Sequence, residues 1–294
     1  MHVLVTGAGG FSGAELASAL VARGHRITAV VRSTRGRLVG DPSGAADRFA
    51  IISGDLSGDM VLPEQVDVVV HAAASSPAPG VTIADFVRDN VLSTERIMDY
   101  AVRAGARKFI YFSSLSVHGR IETPLVDEKT PVLDPDAYGM TKRIGEQILQ
   151  AGSTVLPSLA LRLPGVIGRR SVRNWLTRVL AAARNGEDVE VYNPDGPFNN
   201  AVHVEDLARF VCGLLDREWT GFDAFPLAAG GQTTVGEAAH VIVGGFGARS
   251  RIRIVPSQAQ SFAISIDRAR KRYGYAPMQI ADMLRRFVRE NSAP

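Results

Sequence analysis

A short apolar run, Val3-Leu4-Val5, opens the chain, and a glycine-rich stretch, Gly7-Ala8-Gly9-Gly10, interrupts it at once. Beyond it the spacing changes. Phe11, Leu16, Leu20 and Val21 recur at helical intervals before Arg23-Gly24-His25, so a strand, a tight turn and a helix are expected in that order. Further apolar, β-branched runs at 26–31, 49–52, 66–71 and 108–112 read as strands, and 83–104 reads as a long helix. Strands that alternate with helices imply a parallel, doubly wound α/β sheet covered on both faces. Ligands of such sheets lie at the carboxyl ends of the strands, and the unusual residues of this chain cluster at those ends.

Composition narrows the class of protein. The 294 residues are 46% hydrophobic and 21% charged, as expected of a globular protein with a sizeable core. The chain starts directly in a strand, and no segment approaches the roughly 20 apolar residues of a membrane span. A cytoplasmic protein without membrane contact is therefore expected. The single Cys212 excludes an intramolecular disulfide, and its apolar helical surroundings (207–215) point to core packing. Net charge is +3, yet Lys and Arg are interspersed with acids and no basic run is interleaved with aromatics, so no nucleic-acid partner is expected. The six histidines show no zinc spacing, and no metal is expected.

The glycine run has the context of a dinucleotide fingerprint. Gly7 supplies the turn, Gly10 lets backbone approach a pyrophosphate, and Gly13 allows close helix–strand packing. Phe11 begins the helix whose N-terminus would face the phosphates. The register Gly7-x-Gly9-x-x-Ser12 is the alternative. At the end of the second strand, where an acid would bind the ribose diol of NAD, stands Arg32, followed by Ser33, Arg35 and Arg37, with no acid before Asp41. NADP is accordingly expected, NAD being the alternative. Asp55-Leu56 is placed to contact adenine, and Ala72-Ala73-Ala74 leave room for the dinucleotide. Downstream, Tyr138 and Lys142 lie four apart on an expected helix and share a face. A nearby ammonium would lower the phenol's pKa and make it a usable acid or base. Hydroxyls at Ser113, Ser114 and Ser116 end the fifth strand at the same rim.

At this point the chain resembles the extended short-chain dehydrogenase/reductases, within the nucleotide-sugar epimerase, dehydratase and ketoreductase group. The resemblance rests on Thr6-Gly7-x-x-Gly10-x-x-Gly13, Ser113-Ser114-x-x-Val117-x-Gly119, Tyr138-x-x-x-Lys142 and Arg162-Leu163-Pro164-Gly165-Val166-Ile167-Gly168. Val202-His203-Val204-Glu205-Asp206 and Asp267-x-x-Arg270-x-x-x-Tyr273-Gly274-Tyr275-x-Pro277 complete the ordered set. It implies a Rossmann-type domain over 1–165 and a smaller C-terminal substrate-binding lobe over 166–294, with segments near 201–228 returning to the sheet. It also implies that Tyr138 exchanges a proton with the substrate, that Lys142 binds the nicotinamide ribose, and that Ser114 hydrogen-bonds the reacting oxygen, with Ser113 and Ser116 as competing candidates. Asn90 would hold the long helix near the site, and Pro164 would lie beside the nicotinamide. Members often form homodimers through the helices bearing Asn90 and Tyr138.

Departures from the family pattern bear on the substrate. Leu115 and Ser116 stand where dehydratases carry an Asp-Glu pair, which disfavours dehydration. His118 replaces a frequent tyrosine and reads as a substrate contact or as a structural histidine. Gly165 replaces a sugar-binding asparagine. Asn199-Asn200 stand where relatives often place a diphosphate-binding arginine, with Arg169, Arg170 or Arg173 as substitutes. Asn174, Asn199, Asn200, Ser116 and His118 are the expected substrate contacts. The expected reaction is hydride transfer at a sugar carbon, by reduction of a 4-keto nucleotide sugar or by 4-epimerisation. The alternatives are reduction of a small non-nucleotide aldehyde or ketone, and a non-catalytic NADP sensor.

Overall fold

The computed structural model describes residues 1–33, 46–247, 249–257 and 260–292. Arg35, Arg37 and Asp41 lie outside the described residues. β1 (His2–Thr6) is central, pairing in parallel with β2 (Arg26–Val31) and with β4 (Val68–His71). β2 pairs in parallel with β3 (Phe49–Ser53), and β4 with β5 (Lys108–Ser114). β6 (Ser158–Leu163) and β7 (Phe222–Pro226) extend the sheet to the order β7-β6-β5-β4-β1-β2-β3. Val3, Leu4, Val5, Ile27, Val69 and Val70 are fully buried because helices cover both faces of such a sheet. The strand order reverses between β1 and β4, which opens a crevice at their carboxyl ends.

α1 (Phe11–Ala22) follows β1, and α3 (Ala137–Gly152) carries the Tyr/Lys pair. Between them α2 spans 83–103, as the apolar spacing predicts, but its middle turn, Val87–Leu92, is a π-helix. The Ser93 amide bonds back five residues to Arg88, while the Ser93 and Thr94 hydroxyls bond the carbonyls of Asp89 and Asn90. Such competition for carbonyls widens a helix, and widened turns recur at functional sites. Here the widened turn carries two adjacent buried polar residues, Asp89 and Asn90.

The chain divides into two compact units. The first comprises Met1–Gly119, Val132–Arg162 and Leu207–Phe225, and the second Arg120–Pro131, Leu163–Asp206 and Pro226–Pro294. Of the two segments expected to rejoin the main sheet, 224–228 overlaps β7. The other, Ala201–His203, pairs in parallel with Gly165–Ile167 in a separate two-stranded ribbon. Pro164 has no amide hydrogen and ends β6, so the chain beyond it makes a new ladder. The second unit has its own core, in which Leu176, Val179, Ile242, Met283 and Phe287 are buried. Among the described residues no helix is long and apolar enough to cross a membrane.

Candidate active site

The turn after β1 shows why glycine is needed there. Gly7 has φ +69, and a Cβ on it would lie 2.6 Å from the Ala73 amide nitrogen. A Cβ on Gly13 would lie 2.3 Å from the Gly7 carbonyl oxygen, so Gly7, Gly10 and Gly13 are the register the backbone uses. Gly10 caps α1 with extended backbone, without a side-chain cap and without an acid in the first turn. Helix amides there keep a partial positive charge with no internal partner, which is the chemistry of a phosphate seat. A cavity of about 390 Å³ opens in front of it and brings together Gly7, Gly10, Arg32, Asp55, Leu56 and Ala72 to Ala74. These residues fit a dinucleotide, since Gly10 puts no side chain between the uncapped amides of α1 and the cavity it lines. Phe11 begins α1 but does not line that cavity.

Charge at the rim is organised by a residue that sequence reasoning passed over. The Arg32 Nη2 donates to the Asp89 carboxylate at 2.7 Å, with the arginine side chain 67% exposed and the aspartate 2%. Arg88 Nε donates to the other Asp89 oxygen at 2.8 Å, and the Ser75 hydroxyl also donates to Asp89. Burial pushes the Asp89 pKa up, but these donors outweigh it and the group stays below its ordinary value. Asp55 accepts from the Ser57 amide and hydroxyl, which holds its carboxyl low.

At the ends of β5 and α3 the reactive groups converge. Asp136 caps α3 by accepting from the Gly139 amide at 2.7 Å and so fixes the first turn, which contains Tyr138. The Ser114 hydroxyl donates to Ser116 Oγ at 3.1 Å and accepts from the Ser116 amide. Asn90 fixes the helix pair. Its Nδ2 donates to the Ser75 carbonyl and to Thr141 Oγ1, while its Oδ1 accepts from the Ser75 amide. Lys142 is 1% exposed, with Nζ 4.0 Å from the centroid of the Tyr111 ring.

The electrostatics differ from the sequence expectation. Burial raises the Tyr138 pKa, opposed by the nearby Ser114 hydroxyl, and Lys142 is not among the groups acting on it. Lys142 is itself lowered to about 7, because burial removes the water that would stabilise its charge, an effect that Glu146 partly offsets. The lysine, and not the tyrosine, is the group poised near neutrality.

Glu146, one turn beyond Lys142, is fully buried and holds the neighbourhood together. It accepts from Ser113 Oγ at 2.7 Å, from Arg162 Nε and Nη2 at 3.0 and 2.9 Å, and from Arg143 Nη1 at 2.8 Å. Ser113 is thereby committed to Glu146, while the Ser114 and Ser116 hydroxyls bond one another. His118 is fully buried, its ring nitrogen 3.4 Å from Arg162 Nη1, so its contact is internal. The helical spacing from Lys142 to Glu146 was the one sequence signal for this network.

The second unit holds a pocket of its own, of about 320 Å³, lined in part by Gly165, Asn174, Trp175, Phe198 and Asn200. Asn174 caps the helix Trp175–Asn185, and Trp175 meets Phe198 edge to face at 5.3 Å. Asn199 does not line that pocket. Its amide is consumed by backbone, accepting from the Ile264 amide at 2.7 Å and donating to the Ile264 and Ala229 carbonyls. Pro164 separates β6 from Gly165–Ile167.

Comparison with known proteins identifies the family. Residues 3–223 match the model of the NAD dependent epimerase/dehydratase family. UDP-glucose 4-epimerase 3 of Oryza sativa subsp. japonica is 28% identical, covering 96% of this chain and 87% of the relative. A 2-alkyl-3-oxoalkanoate reductase of Stenotrophomonas maltophilia is 31% identical over 63% of this chain and 57% of its own length. The solved structure of MoeE5 in complex with UDP-glucuronic acid and NAD is 25% identical, with TM-score 0.80, covering 99% of this chain and 97% of that one. The chain belongs to the NAD dependent epimerase/dehydratase family.

The buried lysine has a measurable consequence. Between pH 7 and 10.5 Lys142 is neutral when folded and protonated when unfolded, so the unfolded state binds more protons and stability rises with pH. Urea unfolding of the cofactor-free protein at pH 7.5 and 9 should show wild type gaining about 1.4 kcal/mol per pH unit relative to Lys142→Met. Parallel pH slopes in the two proteins would contradict it.

Proposed function

We propose that this chain is an NADP-preferring oxidoreductase that reduces a 4-keto nucleotide sugar, with 4-epimerisation through the same ketone as the closest alternative outcome. The observation that carries this reading is that the first turn of α3, with Tyr138 and, one turn on, Lys142, packs against the serine-bearing end of β5, where a Cβ on Gly139 would lie 2.1 Å from the Ser116 carbonyl oxygen, in the same unit as the glycine cradle. A nicotinamide dinucleotide bound at α1 would supply the hydride. Tyr138 gives a proton to the carbonyl oxygen as it becomes a hydroxyl, and takes it back in the reverse direction. Ser114 donates to the same oxygen as negative charge develops, an interaction whose loss typically costs about 10²–10³-fold in rate. Lys142 binds the nicotinamide ribose. Arg32 supports NADP, because a guanidinium and no acid ends β2. Reduction is favoured over epimerisation for the same reason: a cofactor consumed each turnover draws on the reducing NADPH pool. Ile83, Val87 and Leu92 on α2 and Met140 on α3 are exposed apolar residues, which supports pairing with a second copy through these helices.

In this reading the second unit's pocket takes the nucleotide, with the Trp175–Phe198 pair beside the base and the Asn174 and Asn200 amides as hydrogen-bonding groups. One feature favours a second reading: no described residue lining that pocket is charged, and a diphosphate needs cations. A small uncharged ketone or aldehyde suits such a lining.

Denaturing the purified protein and identifying the released cofactor tests the leading reading. Little bound NAD, with tighter binding of NADPH than NADH, is expected, whereas stoichiometric NAD would mean a recycling epimerase. Titration with UDP and dTDP separates the two substrate readings. Saturable binding supports a nucleotide sugar, and absence of binding supports the small carbonyl substrate.

A further inference from the structure

We infer that Asp89, braced by Arg88, is a positioning residue for cofactor choice, holding the Arg32 guanidinium where the 2′-phosphate of the cofactor would lie. The inference rests on the NADP reading above and deepens it.

Arg32 ends β2 on an exposed segment, and a long, two-thirds-exposed arginine left to itself explores many rotamers. Its partner is the opposite kind of group. Asp89 is 2% exposed, lines the same cavity, and is immobilised from several directions: Arg88 on one oxygen, Arg32 and Ser75 on the other. Arg88 is in turn held by Asp85 at 2.9 Å, so α2 carries a ladder of alternating charges, Asp85–Arg88–Asp89–Arg32. The π-helical turn Val87–Leu92 makes this ladder compatible with the site, since Asp89 reaches Arg32 while its neighbour Asn90 reaches Thr141.

Two consequences follow for a ligand at the ribose position. Both Asp89 oxygens are engaged, and one oxygen of Asp55 accepts from the Ser57 amide and hydroxyl, so the Asp89 carboxylate is already committed to partners other than a ribose diol. The guanidinium, by contrast, presents a rigid fork of five N–H donors, so it can bond Asp89 and a phosphate together. Arg88 shares the Asp89 charge and limits its repulsion of an incoming phosphate. A rim of this kind favours a phosphorylated ribose, and it does so only while Arg32 is held.

The test is a double-mutant cycle read as the ratio of NADPH to NADH dissociation constants, by fluorescence titration. Arg32→Ala should reduce the preference for NADPH. Asp89→Asn should reduce it by about fivefold, the scale of one exposed charge pair. In the Arg32→Ala background Asp89→Asn should change nothing further, because Asp89 acts through Arg32. Arg88→Ala, at a half-exposed side chain, should shift the ratio in the same direction and serves if Asp89→Asn fails to fold. A drop in Arg32→Ala with no drop in Asp89→Asn or Arg88→Ala overturns this inference alone. So does a higher preference in Asp89→Asn, or an equal drop in the Arg32→Ala background. A wild type that prefers NADH, or an unchanged ratio in Arg32→Ala, overturns the NADP reading and this inference with it.

Discussion

A carboxylate with no access to water governs the catalytic half of the molecule. Glu146 is 0% exposed, and an isolated buried charge would be untenable, so its four donated hydrogen bonds from Ser113, Arg162 and Arg143 are obligatory. Burial alone would raise its pKa, but the arginines and the serine hold it below its ordinary value. Removing one partner of such a pair typically costs about 3–5 kcal/mol. Each donor comes from a different element or turn: Ser113 from the end of β5, Arg162 from the end of β6 and Arg143 from the preceding turn of α3. The clamp therefore fixes Ser114 through Ser113, and Lys142 through the helix it shares with Glu146.

The other end of the site is shaped by absence of side chain. Gly7, Gly13 and Ala73 bring three backbone segments so close that a Cβ at either glycine would overlap its neighbours. What remains is a helix N-terminus with no side-chain cap of its own, facing a cavity. Around it, polar side chains serve one another: His71 sits fully buried between Thr6 and Thr94, kept neutral with its pKa lowered to about 3. The crevice is thus rigid, cationic in its backbone and neutral in its buried histidine, as suits an anionic dinucleotide.

Much of this was legible in the sequence, and the rest was hidden for definable reasons. Apolar runs marked the strands because a doubly covered sheet leaves no polar face, and Val3-Leu4-Val5 is buried throughout. The glycine spacing and the Tyr138/Lys142 interval were legible because they encode local geometry. Long-range partnerships were not. Arg32 with Asp89, Glu146 with Arg162, and Asn199 with Ile264 join positions 57, 16 and 65 residues apart, and no local pattern announces them. The π-turn in α2 depends on Ser93 and Thr94 bonding their own helix, a choice that apolar periodicity does not register. The upward direction of the Tyr138 pKa came from burial, which spacing between two residues does not report.

The central claim is that Tyr138 and Ser114 serve hydride exchange at a substrate carbonyl. Incubation with NADPH deuterated at the transferable position and a panel of keto-sugar nucleotides and simple ketones, followed by mass spectrometry, addresses it directly. Wild type should move deuterium onto a product carbon, and Tyr138→Phe, binding cofactor normally, should do so about 10²–10³-fold more slowly. Equal label transfer by the two proteins would contradict the account, as would tight NADPH binding with no labelled product from any substrate.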